Sequence, residues 1–554
     1  MMELPTKGQS FLQIINGNLL YIDKTELIHK IVITPGCYFL SRPQLFGKSL
    51  LLSTISELYK GNKDLFKGLW IASEAVEYKF EKFPVINITM IGDSRNENKL
   101  NNTITTRLLE SAKYNGVKGI DGEDPADIAT KLIGHLNRES AKPVVVLIDE
   151  YDDPIRSHID NALQAEINRE VLHTFYSSFK AAMDQGQIQL LFVTGVTKFA
   201  KASIFSAFNN LYDISMDPDY HNICGVTMDE FDRYFDCFLP EILEYNKAMK
   251  FLSASLKLNV FKQLVLKKYD GYSWDGKRRV INPYTLMNFL QRKALKNYWF
   301  SSGSPSFLLK YIKERPLELT DTNLFRLTDK QLDAVKVGNL RLSPLLFQTG
   351  YLTVAKRTSA ESFLLKFPNK EDEDSFNHNL LSYLTKQDED NDEIVNLRKQ
   401  ITDALMNFDA NQLANAFTRI LSWLTYFEQP EREEFHHAAL FAVLKSLSFN
   451  VTTHTVSPEG IIDFLIKMPR NINFVGELKY EILEKPPEDD IETRRRDKLQ
   501  KAIALGEAQI ATRRYYKGLF VKGATVKCLA VGIVGRNDVA VKIFDPPPTW
   551  RPLP

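Results

Sequence analysis

The chain has 554 residues. Domains with a single hydrophobic core rarely exceed roughly 250 to 300 residues, so two or three domains are expected. Hydrophobic residues make up 44% and charged residues 25% of it, a globular balance that excludes a mainly disordered, collagen-like or coiled-coil protein. Seventy Lys and Arg against sixty-nine Asp and Glu leave a net charge of +1. Any site for a polyanion must therefore be a local patch.

Cysteine spacing and hydropathy predict a soluble protein of the cytoplasm. Cys37, Cys224, Cys237 and Cys528 do not have the paired spacing of a zinc site. The N-terminal residues lack the apolar core of a signal peptide, and no window reaches the roughly 18 apolar residues of a membrane span. We therefore expect no membrane partner.

The N-terminal part, residues 1–228, has the pattern of an α/β domain. Continuous apolar runs, typical of strands buried on both faces of a parallel sheet, occur at 37–41, 84–90, 143–150 and 188–196. Helix-compatible stretches such as 97–113 and 161–184 separate them. This alternation predicts a parallel sheet with flanking helices.

The remaining chain is divided by shifts in composition. Helix formers and aromatic residues predict a helical accessory or lid region at 229–375, followed by an acidic and helical linker at 376–428. The acidic runs 370–376 and 387–393 favour solvated connectors, with helices expected at 394–407 and 411–426. A last α/β unit of strands around a long basic helix is predicted at 429–554.

A phosphate-binding loop is predicted where the first strand meets its helix. Gly47 lets the backbone approach a phosphate, Lys48 reaches the β- and γ-phosphates, and Ser49 is placed to bind Mg²⁺. Arg42 stands where a regular P-loop has a further glycine. Taken alone, a Gly-Lys-Ser triplet after a strand occurs by chance about as often as it marks a phosphate-binding loop.

Two later strands end in residues that suit a nucleotide site. The run VVVLIDE ends in Asp149, a candidate Mg²⁺ ligand, and Glu150, a candidate for activating water. Thr194 ends the next strand and is expected between the two motifs, where it would sense the γ-phosphate. The alternatives are a surface cap for the acidic pair and a structural role for the threonine.

These motifs resemble the bacterial AAA-ATPase-like family that is commonly fused to a PD-(D/E)XK nuclease. The resemblance rests on YFLSRPQLFGKSLLLSTISEL, VLIDEYDDPI and FVTGVTKFAKASIF, and continues in GVTMDEF, YDGY, INPYTL, YW at 298–299 and QTGYLT. In that family the Arg-Pro before the loop is usual, which accounts for Arg42. Gln44 and Leu45 stand where the family tends to have two arginines. The resemblance implies ATP as the nucleotide.

A candidate metal site lies in the C-terminal unit. Asp463 in GIIDFLIK and Glu477 in INFVGELKY flank a polar turn, and a hairpin centred at residue 470 makes them cross-strand neighbours. Lys479 points to the same side as Glu477, because strand side chains alternate. Carboxylate oxygens favour Mg²⁺ or Mn²⁺, and this set suits phosphodiester hydrolysis. A solvated strand face is the plainer alternative.

The Asp…Glu-x-Lys arrangement resembles the PD-(D/E)XK core and implies a restriction-endonuclease-like α/β domain. The resemblance adds two supporting site residues, of which one is Gln509 on the following helix. The other is an acidic residue on the preceding helix. We prefer Glu434 over Glu433 for this position, because Glu434 adjoins Phe435 and His436. Ile461 and Ile462 stand where the family usually has an arginine.

The sequence therefore predicts a nucleotide-regulated, metal-dependent nuclease with an N-terminal ATP-binding switch. A basic segment at 494–517 would hold the backbone of a nucleic acid without reading bases, although a solvated helix face is the commoner role. We prefer DNA to RNA as this partner. The sequence does not determine whether the chain forms homo-oligomers. Two alternatives stand beside this prediction: a regulatory or nucleic-acid-binding protein that does not cleave, and an ATPase that remodels a protein partner.

Overall fold

The computed structural model describes residues 3–198, 205, 208, 210–245, 254–299, 326–333, 341–359, 361–385, 392–423, 433–457, 460–483, 491–514, 516, 519 and 523–546. These residues form two compact units. The first unit takes the described residues up to 299 together with those of 326–373, and the second takes those from 374 onward. No helix in the described part of the chain combines the length and apolar character that a bilayer crossing needs.

The first unit is built on a five-stranded parallel sheet, as predicted. Its strands are β1 (Gly36–Ser41), β2 (Val85–Thr89), β3 (Val144–Asp149), β4 (Ile188–Gly195) and β5 (Leu211–Asp213). They are hydrogen-bonded in the order β2-β3-β4-β1-β5, and every pair is parallel. The carboxyl ends of β1, β3 and β4 therefore meet at one edge, with β4 between the other two.

Helices surround this sheet because its apolar strands must be covered on both faces. Their bounds are α1 (Phe11–Asn16), α2 (Thr25–Val32), α3 (Lys48–Tyr59), α4 (Glu97–Tyr114), α5 (Pro125–Ser140), α6 (Asp153–Arg156) and α7 (Ala162–Asp184). The helices expected at 97–113 and 161–184 are thus confirmed as α4 and α7. Residues from α4, α5 and α7 join the strands in one buried hydrophobic cluster.

The accessory region is less helical than its composition predicted. Its helices are α8 (Met228–Tyr234), α9 (Leu239–Tyr245), α10 (Ala254–Tyr269), α11 (Pro283–Arg292), α12 (Asp329–Asp333) and α13 (Leu342–Thr349). Between them lie the paired strands β6 (Asp270–Tyr272) and β7 (Val280–Ile281), and a sheet of β8 (Arg326–Thr328), β9 (Thr353–Ser359) and β10 (Ser362–Lys366). The first tyrosine of the YDGY motif, Tyr269, therefore ends α10, and the second, Tyr272, lies in β6.

The prediction of a solvated connector at 370–376 was wrong. This segment begins helix α14 (Lys370–Thr385), and Glu371 and Asp372 in its first turn are 2% and 0% exposed. Their partners are distant in sequence: Glu371 accepts the backbone N–H groups of Tyr298 and Trp299, and Asp372 accepts the Tyr272 hydroxyl at 2.9 Å. Composition alone cannot reveal such partners, which make burial of a carboxylate tolerable.

The second unit contains a five-stranded mixed sheet. Its strands are β11 (Asn450–Ser457), β12 (Gly460–Met468), β13 (Ile472–Glu481), β14 (Thr525–Val534) and β15 (Asp538–Phe544), hydrogen-bonded in chain order. β13 and β14 are parallel, and the other neighbours are antiparallel. A parallel pair needs a long crossover, and helix α18 (Ile491–Arg513) lies in the chain between the two strands.

Helices also precede this sheet along the chain. They are α15 (Asp392–Asn407), α16 (Ala410–Trp423) and α17 (Glu433–Ser446). The first two confirm the helices expected near 394–407 and 411–426. Of the acidic run at 387–393, Asp392 and Glu393 begin α15, and the rest lies outside the described residues.

Candidate functional sites at the phosphate loop and the hairpin

The Gly-Lys-Ser loop lies between β1 and the first turn of α3. Gly47 caps the helix at φ +93°, a left-handed conformation that favours glycine. Lys48 follows and is 3% exposed, and its ammonium donates to the carbonyl oxygens of Arg42 and Pro43, each at 3.1 Å. The same ammonium lies 3.1 Å from Oε1 of Glu150. Lys48 is thus held at the mouth of the loop between backbone carbonyls and a carboxylate.

Asp149 lies where the loop meets the sheet edge. The hydroxyl of Ser49 donates to Oδ2 of Asp149 at 2.5 Å, and the hydroxyl of Thr194 donates to Oδ1 at 2.7 Å. Thr194 is fully buried on β4, the strand between β1 and β3. The expected place of Thr194 between the two motifs is therefore confirmed. Ser49 and Asp149 also supply the oxygen ligands that Mg²⁺ prefers.

Glu150 is held by two cations in a strained turn. Its φ of +51° lies in the left-handed region, which is uncommon for a residue other than glycine. Burial opposes its ionisation, but Lys48 and Arg156 outweigh that effect and hold the pKa of Glu150 below its usual value. Arg156 lies 3.5 Å from Glu150 and 2.7 Å from Asp153. Sequence reasoning missed Arg156, although it follows the acidic run YDDPI by one residue.

Asp152 joins the ends of β3 and β4. Its carboxylate is 0% exposed and accepts the backbone N–H groups of Val196 and Thr197, at 3.1 and 2.8 Å. It also accepts the Thr197 hydroxyl at 2.6 Å. These hydrogen bonds hold the segment after β3 against the segment after β4, the strand that carries Thr194.

The buried side chain of Arg42 stabilises the start of the loop. Its guanidinium is buried and donates to the carbonyl oxygens of Ser41, Ser215 and Tyr220. Its Cζ lies 3.8 Å from the centre of the Trp274 ring. These contacts are structural, and a direct contact of Arg42 with phosphate stays a prediction.

The accessory region packs against the loop through the aromatic motifs that the sequence contains. Phe46 makes edge-to-face contacts with Tyr272 and Trp274, at centroid distances of 4.7 and 5.7 Å. The indole N–H of Trp299 donates to the Gln44 carbonyl at 3.1 Å. Gly350 approaches Pro43 so closely that an added Cβ would lie 2.7 Å from it. The loop is thus enclosed by side chains more than 200 residues away.

In the second unit the predicted hairpin register is confirmed. Phe464 pairs with Gly476, and Met468 pairs with Ile472, so the pairing is centred at residue 470. Asp463 and Glu477 are the next positions in this register. Oδ2 of Asp463 accepts the backbone N–H of Leu478 at 2.9 Å, which fixes its carboxylate beside the Glu477 position.

Lys479 lies among three carboxylates. Its ammonium is 3.6 Å from Oε2 of Glu477, which is 0% exposed, and donates to Oε1 of Glu433 at 3.1 Å. Burial opposes the charge on Lys479, but Glu433, Asp463 and Glu477 together raise its pKa above the usual value. The structure therefore brings together the three residues of the Asp…Glu-x-Lys pattern.

The two supporting positions have different outcomes. Glu433 contacts Lys479 and also accepts the backbone N–H of Tyr480 at 3.2 Å, whereas the side chain of the preferred Glu434 lies outside the described residues. Gln509 is half-buried on α18, three residues after Gly506, whose added Cβ would lie 3.7 Å from the Glu477 carbonyl. Positions three apart share a helix face, so Gln509 lies on the face turned toward β13.

Two histidines of α17 also belong to this neighbourhood, and sequence reasoning gave them no role. A ring nitrogen of His437, Nε2, lies 2.9 Å from the Asp463 carbonyl oxygen. His436 stacks on Tyr480 with ring centroids 4.7 Å apart, and burial lowers its pKa to about 4. Their place after the acidic pair of EREEFHH, with only Phe435 between, was the available signal.

No group of three or more His, Cys, Asp or Glu side chains is arranged to hold a metal ion among the described residues. The hairpin therefore offers the two carboxylates of Asp463 and Glu477, with Glu433 directed at Lys479. At the phosphate loop, the oxygen pair of Ser49 and Asp149 has the same hard-ligand character.

Comparison with known proteins agrees with the parallel sheet and the phosphate loop of the N-terminal part. Residues 5–205 match the model of the AAA-ATPase-like family, described as a predicted AAA-ATPase. This match defines the class of the N-terminal part and indicates nucleotide binding, with ATP as the nucleotide, and ATPase activity.

The chain is also similar along most of its length to a protein of Azotobacter chroococcum mcd 1, described as an uncharacterized protein in the vnfD 5′ region. The two are 31% identical over 478 residues, which cover 84% of this chain and 87% of the relative. The chain belongs to one family with this protein, and its N-terminal part is an AAA-ATPase-like domain.

Proposed function

We propose that the protein is a nucleotide-regulated, metal-dependent nuclease of the bacterial cytoplasm that hydrolyses phosphodiester bonds of DNA, with RNA as the second candidate substrate. The observation that carries the proposal is the cluster of Asp463, Glu477 and Lys479 on two paired strands. A restriction-endonuclease-like domain would present such a cluster to a scissile phosphate.

The donor set fits a hard divalent cation. Asp463 and Glu477 offer carboxylate oxygens, the ligands that Mg²⁺ and Mn²⁺ prefer. Full burial of the Glu477 side chain favours a site where positive charge compensates it, and Lys479 supplies part of that charge. A bound Mg²⁺ would activate water and neutralise the charge that develops on the phosphate.

Lys479 is the residue whose role the contacts support most strongly. Its ammonium is fixed by Glu433 beside Glu477, so it is preorganised to orient a water molecule or to stabilise a negatively charged phosphate. Glu433 thereby acts as a positioning residue. Gln509 lies on the face of α18 turned toward the same strand and would contact the substrate or its water.

The phosphate loop would supply the nucleotide control. A γ-phosphate at the N-terminus of α3 would compete with Glu150 for Lys48, because both are anions within reach of one ammonium. Glu150 would then turn toward the attacking water while Ser49 and Asp149 hold Mg²⁺. Thr194, bonded to Asp149, would sense this change. These contacts suit a switch, and they provide no helicase motif.

Basic residues on and next to α18 support a nucleic acid as the substrate. Arg494, Arg496, Lys501 and Arg513 are exposed on the helix that adjoins the hairpin strands, and the exposed Arg514 follows it directly. Such a surface binds a phosphate backbone through counterion release, without base specificity. Lys517, the last residue of the predicted basic segment, lies outside the described residues.

A cleavage assay tests the proposal. The purified chain is incubated with plasmid, single-stranded DNA and RNA in the presence of Mg²⁺ or Mn²⁺, and again with a chelator. Lys479→Met is compared with Lys467→Met, an exposed lysine on β12 that serves as the matched control. We expect metal-dependent cleavage that falls about a hundredfold or more in Lys479→Met and persists in Lys467→Met.

Two results would contradict the proposal in different ways. Retained DNA binding without cleavage in any metal would favour the non-cleaving regulatory protein. Phosphate release from ATP that requires Lys48 but ignores nucleic acid would favour an ATPase that acts on a protein partner. A matched pair, Glu433→Gln and Glu434→Gln, identifies which acidic residue of α17 supports Lys479.

A further inference from the structure

A cavity of about 640 Å³ lies in the accessory region of the first unit. Its walls come from α8, α10, the hairpin of β6 and β7, and the segment between β10 and α14. This volume is within the range of roughly 300 to 1,000 Å³ found for small-molecule sites. The residues that line it belong neither to the phosphate loop nor to the strand ends around Asp149. A ligand here would therefore occupy a site of its own.

One side of the cavity carries three cations. Lys267 of α10 lines it together with Lys277 and Arg279 of the β6–β7 hairpin, and all three side chains are exposed. The ammonium groups of Lys267 and Lys277 make no ion pair or hydrogen bond within the part of the chain that the structure describes. The net charge of the chain is only +1, so this surplus is local. An anion bound among the three cations would relieve their mutual repulsion.

A single carboxylate, that of Asp270 in the YDGY motif, adjoins these cations. Its side chain is 14% exposed, and Oδ2 lies 3.6 Å from Nη1 of Arg279, which is too far for a hydrogen bond. Burial raises the pKa of Asp270, against the opposing effects of Arg279, the Gly271 backbone N–H and Lys366. Asp270 thus holds Arg279 beside the cavity while the guanidinium donors stay available for a bidentate contact with an anion.

The rest of the wall suits an organic group. Met228, Leu266 and Pro368 contribute apolar surface, and Gln263 contributes a side-chain amide. Apolar surface gains free energy when a ligand covers it, which a bare inorganic ion cannot do. Cations beside an apolar wall therefore favour a ligand that has both charged groups and a carbon skeleton.

We propose that this cavity binds a small organic anion, whose phosphate or carboxylate groups contact the three cations and whose carbon skeleton covers the apolar wall. Phosphate esters and polycarboxylates share this chemistry. A nucleic acid fits less well, because its backbone requires an extended cationic groove, whereas this cavity is a compact pocket with Asp270 in its wall. The anion site itself rests neither on the nucleotide-binding part nor on the nuclease part of the proposed function.

Strand β6 connects this cavity to the phosphate loop. Asp270 begins β6, and Tyr272 ends it and packs edge-to-face against Phe46 of the loop. Between them, Gly271 lies so close to Pro368 of the cavity wall that an added Cβ would clash with the Pro368 carbonyl. Close packing of this kind transmits a displacement rather than absorbing it. An anion in the cavity would thus change the affinity of the loop for ATP, and this effector role does rest on the proposed nucleotide binding.

Calorimetry on the full chain at low salt tests the site with three probes: inorganic phosphate, phenyl phosphate and citrate. Phenyl phosphate should bind more tightly than inorganic phosphate, because its ring covers the apolar wall. The pair Lys267→Met with Lys277→Met should weaken phenyl phosphate binding about tenfold or more. Both lysines are exposed, so the fold should tolerate the exchange. The affinity of citrate relative to phenyl phosphate distinguishes recognition of carboxylates from recognition of phosphates.

Arg278→Met is the matched control. Arg278 is exposed and lies in the same hairpin, between Lys277 and Arg279, but it does not line the cavity, and its Nη1 donates to the Pro218 carbonyl at 2.7 Å. This variant should bind the probes as the unaltered chain does. In Lys48→Ala, which removes the phosphate contact of the loop, phenyl phosphate binding should persist and should still require the two lysines.

Titration of Mg-ATP with and without saturating phenyl phosphate measures the effector role. The affinity for ATP should change about fivefold or more in the unaltered chain and in Arg278→Met. It should not change in the Lys267 and Lys277 pair variant. A change that persists in the pair variant would show competition at the phosphate loop itself and would overturn the effector role.

The remaining outcomes separate the site from its effect. Equal affinity for phenyl phosphate in the unaltered chain and the pair variant would overturn the anion site. So would a pair variant that binds a DNA duplex more weakly but binds all three probes normally, since the cations would then serve a nucleic acid. Anion binding that leaves the affinity for ATP unchanged would overturn the effector role alone. An unaltered chain that binds the anions but not ATP would contradict the nucleotide-binding function and the effector role, and would support the anion site.

Discussion

Substitution of Gly350 by alanine probes the contact between the accessory region and the phosphate loop. Gly350 has φ +95°, and an alanine Cβ at this position would lie 2.7 Å from Cβ of Pro43 and 3.2 Å from the Trp299 ring. The left-handed conformation costs a non-glycine residue about 1 to 2 kcal/mol. Forcing a methyl group into a packed contact adds about 1 to 3 kcal/mol. We therefore expect Gly350→Ala to lower the free energy of unfolding by about 2 to 5 kcal/mol.

A matched control isolates the packing contribution. Gly68 has φ +82° and no atom within 4 Å of an added Cβ, so Gly68→Ala carries the conformational cost without the clash. The free energies of unfolding of the two variants, measured in urea, should differ by about 1 to 3 kcal/mol. Gly350→Ala should also weaken ATP binding, because Pro43 and Gln44 must shift. Equal destabilisation of both variants, with ATP binding intact in both, would refute the idea that this contact holds the loop.

Three further predictions follow from the two sites. Thr194→Val removes the hydroxyl that donates to Asp149 at 2.7 Å, and should lower kcat for ATP hydrolysis about tenfold with little change in ATP affinity; an unchanged kcat would exclude the sensing role. Asp152→Asn should lower the free energy of unfolding by about 2 to 3 kcal/mol, since the two backbone N–H groups bind different carboxylate oxygens and the amide would turn its NH2 group toward one of them; chemical denaturation measures this, and a neutral result would contradict the network. His436 has its pKa lowered to about 4 by burial, so the unfolded chain binds the proton first and stability should fall by about 3 kcal/mol as the pH drops from about 6.5 to 4; His436→Phe should remove that part of the pH dependence, and identical pH profiles would contradict it.

Local patterns were enough to predict the two motifs and their strands. The hairpin register followed from a polar turn between two apolar runs, because an antiparallel pair around a tight turn has only one centre. The position of Thr194 followed from strand adjacency, since the carboxyl ends of parallel strands share an edge. In both cases the regular geometry of paired strands determines which residues become neighbours.

Side chains whose role depends on docking could not be assigned in this way. Glu433 and Glu434 are adjacent on α17, and only the rotation of the helix against β13 decides which of them meets Lys479. Glu371 and Asp372 resemble solvent-exposed acids in sequence, yet their partners are Tyr298, Trp299 and Tyr272. Tertiary contacts of this kind leave no periodic signal in the sequence.

Arg42 and the Lys24–Glu230 ion pair illustrate the same point in the first unit. A basic residue beside a phosphate loop suggests phosphate contact, but the guanidinium of Arg42 faces three backbone carbonyls and Trp274. Lys24 carries no motif of its own, and its partner is 206 positions away. Only the folded chain brings the two side chains together.

The most direct test of nucleotide-controlled cleavage measures the rate of DNA cleavage with Mg²⁺, with and without ATP, in the unaltered chain and in Lys48→Ala. Lys48 lies in the phosphate loop of the first unit, whereas Asp463, Glu477 and Lys479 belong to the second. We predict that ATP changes the cleavage rate of the unaltered chain and leaves that of Lys48→Ala unchanged. Metal-dependent cleavage that responds equally to ATP in both proteins, or that is absent from both, would contradict it.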